Sequence, residues 1–174
     1  MEKDDHLFDY VDSYHGAFSD VNPSIGATEV GRMFFSRKSN VTDTLFALRN
    51  KVVKLFGLKT SGEVLDRQKL VENSTFEPGQ QLGLFKVYDK TENELVVGQD
   101  DKHLDFRVSL LVDSLLDGTS QKHLTITTAV TFHNRFGRFY FFLVKPFHKW
   151  IVPGMLKGMI ERIENSQLPA ANLV

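Results

Sequence analysis

The spacing of hydrophobic residues changes along the chain, from a period typical of strands to a period typical of a helix. Between Leu82 and His133, apolar and polar residues largely alternate, as they do in β-strands with one buried face. Turn residues divide this region into four predicted strands, Leu82–Asp89, Leu95–Gln99, His103–Leu116 and His123–His133. Short turns between consecutive strands favour an antiparallel sheet with one apolar and one polar face.

A long amphipathic helix is predicted over Arg138–Ile163. Apolar residues recur there every three or four positions and form one broad face. Pro146 and Pro153 each remove a backbone donor, so the helix should begin at, or bend near, one or both of them. We expect the apolar face of this helix to lie on the apolar face of the sheet.

The region before the sheet carries weaker signals. A first strand is predicted over His6–Tyr14, a short helix begins at Thr28, and a longer helix covers Asn40–Phe56. The polar, poorly patterned segment Lys59–Gln81 is interpreted as a connection with at most one short element, and a mobile lid is the alternative interpretation. The order of elements predicts an α+β fold, in one domain that covers residues 1–174.

Charge and composition exclude several functions. The net charge is −1 and the basic residues are spread along the chain, which argues against a nucleic acid partner. There is no cysteine, so disulfides and thiolate chemistry are excluded. The first ten residues are acidic and contain no apolar stretch typical of a secretory signal, so we expect a cytoplasmic location.

The long predicted helix does not have the composition of a membrane span. Lys145, His148, Lys149 and Lys157 interrupt its apolar residues, and charges at the centre of a bilayer are unfavourable. Stable membrane insertion is therefore not expected. An interfacial helix, with Trp150 flanked by lysines, is an alternative to a helix that faces the core.

Three stretches carry a resemblance to a known family: LRNKVVKLFGLK (Leu48–Lys59), GQDDKHLDFRVSLLV (Gly98–Val112) and TTAVTFHNRFGRFYFFLVKPFHKWIVPGML (Thr127–Leu156). They resemble an uncharacterised bacterial family assigned to the superfamily of START lipid-transfer domains, polyketide cyclases and birch-pollen allergens. Some members follow a short-chain-dehydrogenase-like domain. The resemblance implies a helix-grip fold, in which a curved antiparallel sheet wraps around a long carboxy-terminal helix and two shorter helices follow the first strand. It implies a cavity but no catalytic residue.

A ligand-binding cavity is expected where the helix covers the sheet in such a fold. The residues predicted to line it are Phe106, Val108, Leu110, Ile126, Thr128 and Val130 on the sheet and Phe147, Ile151, Met155 and Met159 on the helix. Filling of a solid core by the same residues is the alternative. The first hypothesis is a binding module for a small hydrophobic molecule. No glycine-rich dinucleotide motif is present, and no cofactor is expected.

An enzyme of the cyclase or dehydratase kind is the second hypothesis. It requires His133, His148, Tyr140 or Asp105 in the cavity with a hydrogen-bonded partner. A histidine on an apolar face is more often structural, and the spacing of the histidines does not indicate a metal site.

Two further patterns, one in the predicted sheet and one in the long helix, have structural explanations. His103, Asp105 and Arg107 alternate on the polar face of the predicted sheet, where a solvent-exposed salt network is the expected arrangement. Gly154 and Gly158 in the long helix indicate either close packing or room for a ligand.

Overall fold

A six-stranded antiparallel sheet and a long helix form the main body of this α+β fold. The computed structural model describes residues 8–19, 25–36, 74–114 and 121–167. In chain order the elements are β1 (Tyr10–Ser19), α1 (Ala27–Phe35), β2 (Gln81–Leu82), β3 (Phe85–Lys90), β4 (Glu94–Asp100), β5 (Leu104–Ser114), β6 (Gln121–Phe132) and α2 (Arg135–Gln167).

The sheet is curved and runs in the order β1-β6-β5-β4-β3-β2, with every neighbouring pair antiparallel. The predicted run of strands is therefore confirmed. The predicted strand Leu82–Asp89 is divided in two, because Gly83 adopts a φ of 66° between β2 and β3. The first strand lies against β6, at the opposite end of the chain, and continues to Ser19, beyond its predicted end.

The apolar face of the sheet forms the core, as the alternation predicts. Val108, Leu110 and Val112 of β5 are buried, and Leu124 and Ile126 of β6 are buried beside them. The long helix packs mainly against β1 and β6, and α1 packs near β4 and β5. The helix thus covers the apolar face of the sheet toward the β1 edge.

The long helix begins before either of its prolines. Asn134 is its N-cap, because the Asn134 Oδ1 atom accepts a hydrogen bond from the Gly137 backbone N–H at 3.0 Å. The helix then continues through Pro146 and Pro153 to Gln167. The prediction that this helix starts at a proline is therefore wrong. Because proline has no N–H, the carbonyls of Phe142 and Lys149 lose their helical donors, and both residues are exposed to water.

Two helices are present in the ranges that the structure describes, where three were predicted for the whole chain. The short helix predicted from Thr28 is confirmed as α1. The second predicted helix, Asn40–Phe56, lies outside those ranges, as does most of Lys59–Gln81. The last part of that segment is described, and in it Phe76 is fully buried against Phe35 of α1.

Close packing does not explain the glycines in the second half of α2. A Cβ atom added at Gly154 or Gly158 would have no heavy atom within 4 Å among the described residues. In contrast, a Cβ atom at Gly137 would overlap the backbone carbonyl oxygen of His103. The glycine that close packing requires is therefore in the first turn of the helix.

Candidate functional site between the first strand and the long helix

The predicted pocket residues face the interior between sheet and helix, with one exception. Val108, Leu110, Ile126, Met155 and Met159 belong to the main buried cluster, and Phe106 packs against it. Thr128, Val130 and Ile151 are also buried. Their position fits the prediction, and it equally fits a packed core, so their role as ligand contacts stays a prediction.

Phe147 is the exception, because its side chain is 48% exposed. The buried face of α2 passes through His148, Val152, Met155 and Met159. Phe147 precedes His148 by one residue, which turns it by roughly 100° around the helix axis. The placement of Phe147 over the sheet is therefore wrong.

A groove runs between the inner face of β1 and the second half of α2. Its volume is about 650 Å³, and it is largely open to solvent. Its apolar lining consists of Tyr14, Gly16, Pro153, Leu156 and Ile160, and its polar lining consists of Ser13, His15, Lys157, Glu161 and Glu164. Gly16 shapes this groove, because a Cβ atom there would overlap Ile160 Cδ1.

A cluster of polar side chains lies next to the groove, where β1 meets the middle of α2. The hydroxyl of Tyr10 donates a hydrogen bond to Asp12 Oδ2 at 2.6 Å. His148 Nε2 lies 3.1 Å from Asp12 Oδ1, and since a carboxylate oxygen only accepts, the imidazole donates. The Asp12 and His148 side chains are only 14% and 11% exposed. A nearly buried hydrogen bond between a carboxylate and an imidazole therefore joins the first strand to the long helix.

Tyr14 connects this cluster to the groove. It lines the groove, and its hydroxyl is hydrogen-bonded to Asp12. Burial raises the pKa of Tyr14, and the negative charge of Asp12 and the hydrogen bond to it raise that pKa further. The pKa of Tyr10 is raised by burial first and then by its hydrogen bond to Asp12. Both phenols therefore stay protonated and act as hydrogen-bond donors.

The raised pKa values of Tyr10 and Tyr14 predict a loss of stability in alkali. A group that binds its proton more tightly in the folded state stabilises the protein fully below its unfolded pKa, which is about 10 for tyrosine. As the pH rises above that value, the unfolded chain loses these protons first, and the free energy of unfolding should fall. Urea unfolding at increasing pH measures this decline. Tyr10→Phe should make the fall in unfolding free energy with pH less steep. An unchanged slope would contradict the view that Tyr10 contributes to this fall.

The other candidate polar residues lie away from the groove. His133 Nε2 pairs with Asp105 Oδ1 at 3.0 Å, and these side chains are 40% and 28% exposed. Arg107 bonds Asp100 and lies over the Tyr88 ring at 3.5 Å. The hydrogen bond from Arg107 holds the pKa of Asp100 below its usual range. Asp105 and Arg107 thus form ion-pair contacts on the polar face as expected, but with His133 and Asp100, whereas His103 contacts other residues. Neither His133 nor Asp105 lines the groove.

His103, the remaining histidine near the junction between the sheet and α2, packs against residues at the start of α2. The ring of His103 contacts the Asn134 side chain at 3.0 Å and the Phe136 ring at 4.7 Å between centroids. Tyr140 is half-buried on α2. Within the described ranges, no three histidine or acidic side chains converge closely enough to hold a metal ion.

Sequence reasoning missed Asp12, Tyr14 and Gly16. They face inward on β1 in register with Thr128, Ile126 and Leu124 of β6. An inward face with a carboxylate and a glycine does not show the apolar alternation that marks a buried strand. The available signal was the alternation of tyrosine and aspartate in Tyr10, Asp12 and Tyr14, which is a strand period with polar residues on the inner face.

Comparison with known proteins gives a family but no activity. The profile of a family described as "Protein of unknown function (DUF2867)" matches residues 6–155. No curated protein matches the chain. In the part of the chain that the structure describes, no helix is long and apolar enough to cross a membrane.

Proposed function

The chain belongs to the DUF2867 family, whose function is unknown, and we propose that it binds a small, largely apolar molecule in the groove between β1 and α2. We further propose that the fold is a helix-grip fold of the START-like superfamily. The antiparallel curved sheet under a long helix supports this assignment.

The groove itself is the observation that carries the proposal. Its volume of about 650 Å³ lies in the range of small-molecule sites, roughly 300–1,000 Å³. Leu156 and Ile160 offer apolar contact on the helix side. The groove is bordered by both basic and acidic side chains, Lys157, His15, Glu161 and Glu164. A ligand with an apolar body and a polar end would match both linings. Gly16 allows Ile160 to lie directly against β1 in the wall of this groove.

Titration with anilinonaphthalene sulfonate, a fluorescent apolar anion, tests the proposal on the full chain. Gly16→Val should weaken its binding by about tenfold, because the added side chain would displace Ile160 from its place in the apolar wall of the groove. Native mass spectrometry of the purified protein provides an independent measurement of retained small molecules.

Ala17→Val is the matched control, since Ala17 is the next residue of β1 and is exposed on the opposite face of the sheet. Ile160→Trp fills the groove from the helix side and should weaken dye binding like Gly16→Val. Unchanged affinity in both groove variants, with the fold intact by circular dichroism, would exclude this groove as the binding site.

An acid–base enzyme of the cyclase or dehydratase kind is the second candidate function. The nearly buried pair of His148 and Asp12 favours it, because a carboxylate that orients an imidazole is a common arrangement in acid–base catalysis. The Nδ1 atom of His148 has no hydrogen-bond partner among the described residues. This candidate ranks second because neither residue lines the groove. This candidate function predicts that the protein catalyses the loss of water from a hydroxy-carbonyl substrate. The substitution His148→Gln should abolish that activity.

A further inference from the structure

The first half of α2 exposes large aromatic side chains that the core does not use. Trp150 is 79% exposed, Phe142 is 71% exposed and Phe147 is 48% exposed. Pro146 lies between them and is exposed as well. We call these four residues the aromatic stripe. Phe142 and Trp150 are separated by eight residues, about 12 Å along the helix axis.

The stripe lies on a part of the chain that carries only positive charges. Residues 135–160 contain five lysines and arginines and no aspartate or glutamate, although the whole chain has a net charge of −1. Arg135 and Lys149 are exposed, and Lys149 is next to Trp150. Arg138 is paired with Asp9 at 3.1 Å, and Lys145 lies over the Tyr10 ring at 4.7 Å. The first acidic residue after this region is Glu161, at the groove.

We propose that the aromatic stripe of α2 docks on the surface of a bilayer that contains anionic phospholipids. Tryptophan and phenylalanine beside cationic residues suit the boundary between lipid headgroups and acyl chains. Arg135 and Lys149 would contact the headgroups while Trp150 and Phe142 enter the boundary layer. The helix lies in the plane of the surface and does not span it.

The shape and charge of the stripe favour a bilayer over a folded protein partner. The side chains project from a single convex helix, and a bilayer accommodates such a surface without a complementary groove. The absence of acidic residues over residues 135–160 removes repulsion from anionic headgroups along the whole contact. This surface is on the first half of α2, whereas the groove uses the second half.

Trp150 gives a direct measurement, because it is the only tryptophan in the chain. Its fluorescence should shift to shorter wavelength when vesicles of phosphatidylcholine mixed with phosphatidylserine are added, as the indole leaves water. Vesicles of phosphatidylcholine alone should produce a much smaller shift, and high salt should reduce the shift with anionic vesicles. Brominated lipids should quench the shifted emission.

Vesicle sedimentation identifies the residues that carry the binding. Trp150→Ala should weaken sedimentation with anionic vesicles by about tenfold, and Phe142→Ser should have a similar effect. Val11→Ser is the apolar control, because Val11 is 54% exposed and lies on the outer face of β1. Lys149→Glu should weaken binding, and Lys86→Glu, an exposed lysine on β3, is its control.

Three outcomes would overturn the proposal. One is an emission of Trp150 that does not move with anionic vesicles. Another is equal sedimentation of Trp150→Ala, Phe142→Ser and the unmodified chain. The third is an emission of Trp150 that is already at short wavelength without lipid and moves to longer wavelength when the protein is diluted. That result would mean that a dimer dissociates on dilution and that the stripe binds a second copy of the chain.

Discussion

Replacing Asp12 with alanine should lower the free energy of unfolding by about 3–5 kcal/mol, because it leaves three donors in a nearly buried site without an acceptor, at a cost of about 1–3 kcal/mol each. The substitution leaves the hydroxyls of Tyr10 and Tyr14 and the Nε2 atom of His148 without their acceptor. Unpaired polar groups in a nearly dry site lose their hydration without compensation. Urea unfolding, followed by circular dichroism, measures the loss.

Asp9 provides the matched control, because it lies directly before β1 and its carboxylate also contacts α2. Its carboxylate pairs with Arg138 at 3.1 Å, but the Asp9 and Arg138 side chains are 30% and 66% exposed. Asp9→Ala should therefore lower stability by only about 1 kcal/mol. A loss at Asp12 no larger than the loss at Asp9 would contradict the view that burial makes the Asp12 cluster important.

A double-mutant cycle measures the interaction energy between Asp12 and His148 separately from their contacts with other residues. If Asp12 and His148 act on each other, the loss in Asp12→Ala combined with His148→Leu should be smaller than the sum of the two single losses, by about 1–3 kcal/mol. Additive losses would show that each residue stabilises the fold through other contacts.

The parts of the fold that could be predicted are those with a regular local pattern. On β5 and β6 the alternation of apolar and polar residues fixes which face is buried, because successive side chains of a strand point in opposite directions. On α2 the same reasoning finds the buried face through Ile151, Met155 and Met159. It misplaced Phe147, since the predicted apolar face was wider than the face that the sheet covers.

The candidate site could not be predicted because it depends on a pairing between distant residues. Asp12 and His148 are separated by 136 positions in sequence. Nothing in the local pattern of His148 indicates a partner, and the strand that supplies Asp12 pairs with the last strand of the sheet. The inner face of β1 is polar because it meets His148 at the edge of the sheet, and this reason becomes visible only once the topology is known.

Gly137→Ala should lower stability by about 1–3 kcal/mol, as overpacking of a tight contact usually does. The added methyl group would overlap the carbonyl oxygen of His103, which accepts a hydrogen bond from the backbone N–H of His133 at 2.9 Å. Either the first turn of α2 or this junction must then move. Thermal and urea unfolding measure the loss.

Gly154→Ala and Gly158→Ala are controls in the same helix with the opposite expected sign. Neither new methyl group meets another atom within 4 Å among the described residues. Each substitution should therefore raise stability by about 0.5–1 kcal/mol, because alanine loses less backbone entropy than glycine in a helix interior. Destabilisation at these two positions would contradict this expectation. It would indicate that a ligand or a further packing contact occupies the space beside them on α2. Stabilisation there, together with a loss at Gly137, would show that Gly137 is the glycine of α2 that close packing requires.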